Sequence, residues 1–152
     1  MRRKDREMPR DFAEAVLDRC IYAVLATVNE DGTPYCIPLS IAREGDWLYF
    51  HSAQEGRKID NMKARNRVCL CGVGDTQVPE GRFTIAYTSA VVTGTVQAVQ
   101  EDAEKIHALR LICLRHTPEA LAGFDAAIAR QLAVTGVWKL HIDEISGKRN
   151  QA

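Results

Sequence analysis

Residues 21–52 contain three apolar, β-rich runs that are separated by two short polar clusters. The runs read IYAVLATV, TPYCIPLSIA and WLYFHS, and the clusters between them read NEDG and REGD. Runs of this length, rich in β-branched and aromatic residues and bounded by Asn, Asp and Gly, are typical of strands joined by turns. The pattern predicts an antiparallel meander, so a β-sheet is expected at the centre of the fold.

Strand and helix patterns alternate along the rest of the chain. PRDFAEAVLDRC predicts a short amphipathic helix. RVCLCGVG, RFTIAYTSAVVTGTVQAV and TGVWKLHIDEISG predict three more strands, and Gly94 within the second of these indicates a bulge or bend. EDAEKIHALRLICLRH and PEALAGFDAAIARQL predict two helices before the last strand. We therefore expect an α+β fold, a six-stranded antiparallel split β-barrel with peripheral helices.

Size and charge limit the functions that this chain can have. Its 152 residues suit a single domain, residues 1–152, with a polar leader at residues 1–9. The formal net charge is +0, so no overall field favours nucleic acid or a membrane surface. No apolar run approaches the roughly 20 residues that span a bilayer, and MRRKDREMPR leads into no apolar segment. We expect a soluble cytoplasmic protein.

Neither the cysteines nor the common sequence motifs indicate a catalytic or metal-binding site. Five cysteines, at positions 20, 36, 69, 71 and 113, form no disulfide framework and fit a reducing compartment. Cys69 and Cys71 share a strand face, but a CxC pair with no second pair nearby is a weak metal signal, and we expect no metal site. No P-loop, GxGxxG, HExxH or GxSxG motif is present in the sequence.

Two cations stand where a helix is expected to begin. Ser52 and Glu55 have the spacing of a capping box, and EGRKIDNMKARN follows without proline, which predicts a helix over residues 55–65. The amino end of a helix carries a positive partial charge, so Arg57 and Lys58 are unfavourable there unless something negative lies beside them. A bound phosphate is one explanation. Two solvated side chains on an exposed turn are the other.

The surrounding sequence has a specific resemblance. PLSIAREGDWLYFHSAQEGRKIDNMKARNRV, preceded by YAVLATVNEDGTPYCI, resembles the FMN-binding split-barrel superfamily that contains pyridoxamine 5'-phosphate oxidase, and within it the nitroimidazole-resistance (Nim-like) branch. The resemblance covers residues from about 12 to 99, and ISGKR resembles the last strand of that branch. The segment GVWKLHIDEISGKRN lacks the Trp and Arg/His arrangement with which the oxidase holds pyridoxal phosphate, so we do not expect vitamin B6 oxidation.

The resemblance implies that FMN binds at the interface of a homodimer. Arg57 and Lys58 would hold its phosphate, Ser52 would make a further phosphate or ribityl contact, and Gly56 would let the backbone approach the phosphate. Gly56 is otherwise only a turn residue. The flavin ring would lie along the second strand, which without the cations would be an ordinary half-buried strand. The implied ring contacts are Pro38, Leu39 and Ser40. From their position on the long strand, Tyr87 and Ser89 are candidates for contacts made from the partner subunit.

His51 is the candidate catalytic residue and a further cofactor contact. On a strand its ring shares a face with Tyr49, so it could project toward the flavin as a hydrogen-bond donor or proton carrier. A structural histidine is the alternative interpretation.

The implied activity is that of an FMN-dependent oxidoreductase, a Nim-like reductase, that passes electrons to a small-molecule acceptor such as a nitro compound or a quinone. The sequence shows no strong catalytic acid or base, which suits electron transfer from flavin better than hydrolysis. The alternative is a non-catalytic module that holds flavin or haem as a carrier or sensor, with His51 or His141 as an axial ligand to haem.

Overall fold

The computed structural model describes residues 2–151, which form one antiparallel sheet and four α-helices. The strands are β1 (Glu7–Met8), β2 (Ala23–Val28), β3 (Pro34–Leu39), β4 (Ile41–Glu44), β5 (Trp47–Ala53), β6 (Arg67–Gln77), β7 (Ala86–Ala98) and β8 (Thr135–Asn150). The helices are α1 (Arg10–Arg19), α2 (Arg57–Ala64), α3 (Asp102–His116) and α4 (Phe124–Gln131). Short 3-10 helices cover Lys4–Arg6, Pro118–Gly123 and Leu132–Val134.

Ser40 is the point at which the sheet closes. The strand order is β3-β2-β6-β7-β8-β5-β4, so β3 and β4 lie at opposite edges of the sheet although only Ser40 separates them in the chain. The predicted pairings of the meander are present, because β3 pairs with β2 and β4 pairs with β5. A single residue therefore joins the two edges, and the predicted split barrel with peripheral helices is confirmed.

The predicted number of strands is wrong. Residues 2–151 contain eight strands rather than six. One additional strand arises because the run TPYCIPLSIA changes its pairing partner at Ser40 and so divides into β3 and β4. The other is Glu7–Met8, which pairs with Gly147 and Lys148 of β8 and lies in the segment expected to be a polar leader.

The predicted bulge at Gly94 is confirmed. The register of β7 against β8 shifts between Thr93 and Gly94. A Cβ atom on Gly94 would lie 1.8 Å from the main-chain oxygen of His141, so only glycine allows the two strands to approach this closely. The extra residue is Asp143 of β8, which has no partner in β7, so the bulge bends β8 opposite Gly94.

The core fills the barrel and is closed at one end by α1. Alternate residues of the strands point inward, and the largest of them are completely buried. Burial of one such side chain contributes about 1.5 to 3 kcal/mol. The fully buried residues include Leu25, Leu48, Phe50, Leu70 and Leu140 of the strands and Ala13 and Leu17 of α1.

Helix α2 begins two residues later than predicted. The predicted capping box is wrong, because Ser52 and Glu55 lie before the helix: Ser52 belongs to β5, where it pairs with Gly136 of β8. The helix starts at Arg57 after Gly56, whose φ is +120°, and no side chain caps its amino end. Sheet pairing holds Ser52 in the strand and overrides the local capping signal.

Helices α3 and α4 form a second layer outside β5 and β8. The helix predicted for residues 101–116 is confirmed, and its most buried residues are Ala108 and Ile112. These two pack with Ala42, Tyr49 and Val137 in a smaller core. None of the helices in residues 2–151 is both long and apolar enough to cross a membrane.

Candidate functional site

The amino end of α2 carries two cations without ion pairs. Arg57 and Lys58 are its first two residues, and within residues 2–151 neither lies within ion-pair distance of a carboxylate. The guanidinium carbon of Arg57 lies 5.3 Å from the centre of the Tyr35 ring. Asp31 is near enough that Arg57 contributes to lowering its pKa, after the larger effect of hydrogen bonds from Thr33. The positive charge expected from the sequence is therefore open to an external anion.

Gly56 leaves the backbone before the helix open. Its φ of +120° is a conformation that other residues rarely adopt. A Cβ atom built there would have no neighbour within 4 Å, so the surface beside the peptide is unfilled. The main-chain oxygen of Gly56 accepts hydrogen bonds from the amides of Ile59 and Asp60, and the amides that precede these in the first turn of α2 have no partner within the helix.

The end of β3 leads through Ser40 to a position beside β5. Pro38 and Leu39 pair with Val24 and Ala23 of β2, and Ser40 follows them. Pro38 and Ser40 are exposed, whereas Leu39 is half-buried. Because Ile41 is paired with Phe50, continuing that register by one residue sets Ser40 beside His51. The register thus sets one of the predicted ring contacts, Ser40, next to the predicted catalytic residue.

Two residues of α3 hold the backbone next to Ser40, and sequence reasoning missed this role. Arg115 donates a hydrogen bond of 2.6 Å to the main-chain oxygen of Ile41 and one of 2.7 Å to that of Cys20. His116 donates through Nε2 to the same Ile41 oxygen at 2.8 Å. The contact spans 75 residues of sequence, so no local pattern indicates it.

His51 occupies an exposed position on β5, opposite Val137 of β8. The surrounding atoms lower its pKa, first by excluding water and then through the charges of His116 and Lys58. The ring is therefore neutral at pH 7, with one N–H donor and one nitrogen acceptor. No hydrogen bond to the ring is found among the described residues 2–151.

Ser52 points to the other side of β5. Its hydroxyl donates a 2.7 Å hydrogen bond to the main-chain oxygen of Ala53 and lies against Gly136 of β8. The hydroxyl proton is thus engaged within the protein, and only the oxygen lone pairs of Ser52 are free. Ser52 is close to Arg57 and Lys58 in sequence, but its hydroxyl would have to exchange partners to donate to a phosphate.

Tyr87 and Ser89 lie on β7, three strands away from the end of β3. The pairings place one residue of each strand in a single row across β3, β2, β6 and β7, namely Leu39, Ala23, Gly72 and Ala90. Neighbouring strands are about 4.8 Å apart, so this part of β7 is about 14 Å from the end of β3 across the sheet. The Lys148 ammonium lies 5.5 Å from the centre of the Tyr87 ring, and its hydrogen bond lowers the pKa of Tyr87. Within one chain, β2 and β6 therefore separate Tyr87 and Ser89 from the predicted ring contacts.

An apolar surface, here called the open sheet face, covers the outside of β3, β2, β6 and β7. The register places its residues side by side, and several remain exposed. Exposed large apolar side chains also follow at the turn between β6 and β7 and before β2. The open sheet face comprises Val24, Ala26, Cys36, Pro38, Cys69, Cys71, Val73 and Val91, and the neighbouring exposed residues are Ile21, Tyr22, Val78, Phe83 and Ile85.

A closed antiparallel sheet whose two edge strands are consecutive in the chain defines the split-barrel class. A family model described as pyridoxamine 5'-phosphate oxidase matches residues 9–149, and the chain belongs to that family. The resemblance to the FMN-binding split-barrel superfamily is thereby confirmed.

Solved structures agree with this assignment. The chain is 25% identical to a proposed 5-nitroimidazole antibiotic resistance protein from Bacteroides thetaiotaomicron, with a TM-score of 0.80 over 94% of this chain and 86% of the other. It is 25% identical to a FAD-binding protein from Mesorhizobium loti, with a TM-score of 0.71 over 96% and 98% of the two chains. A FAD- and haem-binding protein from Mycobacterium smegmatis shares the fold, with 23% identity, a TM-score of 0.83 and coverage of 97% and 74%.

Proposed function

We propose that this protein is an FMN-dependent oxidoreductase that reduces a small acceptor such as a nitro compound or a quinone. The observation that carries the proposal is the pair of cations at the start of α2, which have no carboxylate partner among residues 2–151 and lie beside an open glycine backbone. A dianionic phosphate would satisfy both charges and the free amides of the first helical turn.

The rest of the cofactor would extend from Lys58 toward Ser40. Its ring would lie along Pro38, Leu39 and Ser40, whose strand β3 pairs with β2 on one side and leaves main-chain groups free on the other. Arg115 and His116 hold the Ile41 carbonyl and so keep the backbone beside Ser40 in place. When bound, the flavin supplies the redox chemistry, and the protein contributes position, shielding from water and hydrogen bonds.

His51 would carry a proton or donate a hydrogen bond at this site. Its ring is neutral at pH 7 and unoccupied by the described protein groups, so its N–H can donate to an oxygen of the acceptor. The two relatives at 25% identity fit the proposal, since one is described as FAD-binding and the other is linked to nitroimidazole resistance. FAD and FMN share the ribityl phosphate that the cations would recognise.

We further propose that the protein is a homodimer that buries the open sheet face. A contiguous apolar surface of this kind is unusual on a monomer and is typical of an interface between subunits. The partner subunit would then bring Tyr87 and Ser89 to the cofactor, from which β2 and β6 separate them within one chain.

The test is a comparison of FMN and riboflavin titrations. Replacement of both Arg57 and Lys58 by Ala removes two charge-assisted contacts of about 1.5 to 3 kcal/mol each, so FMN affinity should fall at least about 100-fold. Riboflavin has no phosphate and should bind the variant nearly as well as the wild type. Lys63→Ala, in the last turn of the same helix, is the control and should leave both ligands unaffected. An equal loss of affinity for FMN and riboflavin, or no loss for either, would contradict the proposal that Arg57 and Lys58 hold the phosphate.

A second measurement separates an enzyme from a carrier. Absorption spectra of the purified protein distinguish flavin from haem, and an FAD titration beside the FMN titration decides between the two flavins. Oxidation of NADH or NADPH that depends on an added nitro compound or quinone would establish turnover. Bound flavin without such turnover would favour the carrier or sensor.

A further inference from the structure

A cavity of about 240 Å³ lies between α3, α4 and the adjoining ends of β5 and β8. His51 lines it from β5, at the end nearest Lys58 and Ser40. Its remaining walls come from the two helices and the segment that leads into β8. The walls are Leu109, Ile112, Cys113, Thr117, Phe124, Ala127, Ile128, Gln131, Leu132 and Thr135.

The cavity walls exclude a charged ligand. Among residues 2–151, no Asp, Glu, Lys or Arg lines the cavity, and most of the wall is aliphatic or aromatic. Moving an unpaired charge into such a place costs several kcal/mol. The Arg110 guanidinium lies over the Phe124 ring at 4.3 Å and forms an ion pair with Asp125 at 2.9 Å. This cation on the outside of the Phe124 ring therefore already has a carboxylate partner.

Two polar side chains that line the cavity, those of His51 and the exposed Gln131, have no hydrogen-bond partner among residues 2–151. The Thr135 hydroxyl donates to the main-chain oxygen of Gln131 at 2.9 Å, and the Thr117 hydroxyl is directed to the Cys113 sulfur at 3.8 Å. The His51 ring, by contrast, makes no hydrogen bond within the described part of the chain, residues 2–151. A ligand in the cavity would meet apolar walls on most sides and an imidazole N–H at one end.

The volume limits the ligand to about one ring. An apolar cavity of about 150 Å³ holds a benzene molecule, and pockets for drug-sized ligands begin at about 300 Å³. The cavity at His51 lies between these sizes. Its dimensions fit a single aromatic ring with small substituents, and a fused two-ring compound would exceed them.

We propose that this cavity binds an uncharged single-ring aromatic molecule whose exocyclic oxygen, of a nitro or carbonyl group, accepts a hydrogen bond from His51. This molecule would be the electron acceptor, an assignment that rests on the proposed flavin function. Residues of α3 and α4 would then select the substrate, whereas Arg57 and Lys58 would hold the cofactor.

The test uses two substitutions at adjacent positions of α4. Ala127 lines the cavity and Ala126 is exposed, so Ala127→Phe fills the cavity while Ala126→Phe places the same ring in solvent. Nitrobenzene is the probe, 4-nitrobenzoate is its charged counterpart, and calorimetry measures binding to the full chain with and without FMN. Wild type should bind nitrobenzene at least about tenfold more tightly than 4-nitrobenzoate. Ala127→Phe should weaken nitrobenzene binding at least about tenfold, and Ala126→Phe less than about twofold.

Two further variants complete the test. One replaces Ala127→Phe if that variant does not fold, and the other tests the hydrogen bond from His51. If Ala127→Phe fails to fold, Ile128→Ala enlarges the same cavity and should raise the affinity for 1-nitronaphthalene relative to nitrobenzene by at least about fivefold. His51→Ala should weaken nitrobenzene binding by about two- to tenfold, the value of one hydrogen bond. It should leave benzene binding unchanged, because benzene has no acceptor oxygen.

The outcomes separate this inference from the proposed function. Equal binding of charged and uncharged probes, or equal effects of Ala127→Phe and Ala126→Phe, would overturn the cavity assignment even if FMN binds. An unchanged ratio between the two nitroarenes in Ile128→Ala would do the same. If FMN does not bind but Ala127→Phe still abolishes nitrobenzene binding, the cavity site stands and the flavin function fails.

Discussion

The guanidinium group of Arg57 lies over the ring of Tyr35, with its central carbon 5.3 Å from the ring centre. Tyr35 belongs to β3 and Arg57 is the first residue of α2, so this contact joins the strand proposed to carry the flavin ring to the helix proposed to hold its phosphate. An aromatic face orients a cation without neutralising it. Tyr35 therefore keeps Arg57 in place and available to an anion.

Replacing Tyr35 should weaken FMN binding without removing a charge. A cation–π contact at an exposed site contributes about 0.5 to 1 kcal/mol, which corresponds to about a two- to fivefold loss of affinity in Tyr35→Leu. Tyr35→Phe retains the aromatic face and should bind FMN as the wild type does. Fluorescence titration with FMN measures both. A loss in Tyr35→Phe as large as in Tyr35→Leu would show that the phenolic hydroxyl, rather than the ring face, is responsible.

A charge on the open sheet face should dissociate the proposed dimer. Val91 lies on this face and is 38% exposed, whereas Val134 lies beside α4 and is 67% exposed. Val91→Lys would bury two unpaired ammonium groups in a two-fold interface, so the dimer dissociation constant should rise at least about tenfold. Val134→Lys should leave it unchanged. Sedimentation equilibrium checks both, and a wild-type protein that is monomeric with FMN bound would refute the shared interface.

Gly94→Ala should destabilise the fold severely. The new Cβ would lie 1.8 Å from the main-chain oxygen of His141, and that backbone cannot move without breaking the β7–β8 pairing. We expect a loss of about 3 kcal/mol or more in the free energy of unfolding. Gly123→Ala, where a Cβ meets nothing within 4 Å and φ is −93°, should change it by less than about 1 kcal/mol. Urea denaturation of both variants provides the comparison.

Tyr49 should make stability fall at high pH. Burial first, and then the negative charge of Glu104, raise the pKa of Tyr49 to about 12. Its hydroxyl donates to Glu104 at 3.2 Å, and Lys139 lies 2.6 Å from the same oxygen. Since an unfolded tyrosine ionises near pH 10, the stabilising preference for the neutral phenol is complete below pH 10 and is lost as the pH rises to about 12. Tyr49→Phe should show a smaller loss of stability over this range in urea unfolding.

Local patterns were sufficient for much of the fold. The apolar runs predicted the strands, Gly94 predicted the bulge, and the helical spacing predicted α1 and α3, because side-chain alternation and turn chemistry act over a few residues. The capping box at Ser52 failed for the opposite reason. Ser52 matches the local motif, but its pairing with Gly136, more than eighty residues away in sequence, holds it in β5.

The candidate site, like the fold, could be predicted only in part from the sequence. The two cations and the glycine before them could be identified from the sequence, because positive side chains at the positively polarised amino end of a helix are unfavourable. That they have no ion pair among residues 2–151, and that Tyr35 orients one of them, is a property of the packed molecule. The roles of Arg115 and His116 at the Ile41 carbonyl could not be predicted, because these contacts join a helix to a strand that lies about 75 residues earlier in the sequence.

The sequence by itself determined that the chain forms an antiparallel barrel with helices around it and carries a positively charged helix end. Those properties follow from residue type and spacing. Only the packed molecule shows that β3 and β4 separate at Ser40, that His51 lies between Lys58 and an apolar cavity, and that β2 and β6 separate Tyr87 and Ser89 from the end of β3. Each of these depends on which strands pair and in which register, and pairing energies between distant residues have no signature in the local sequence.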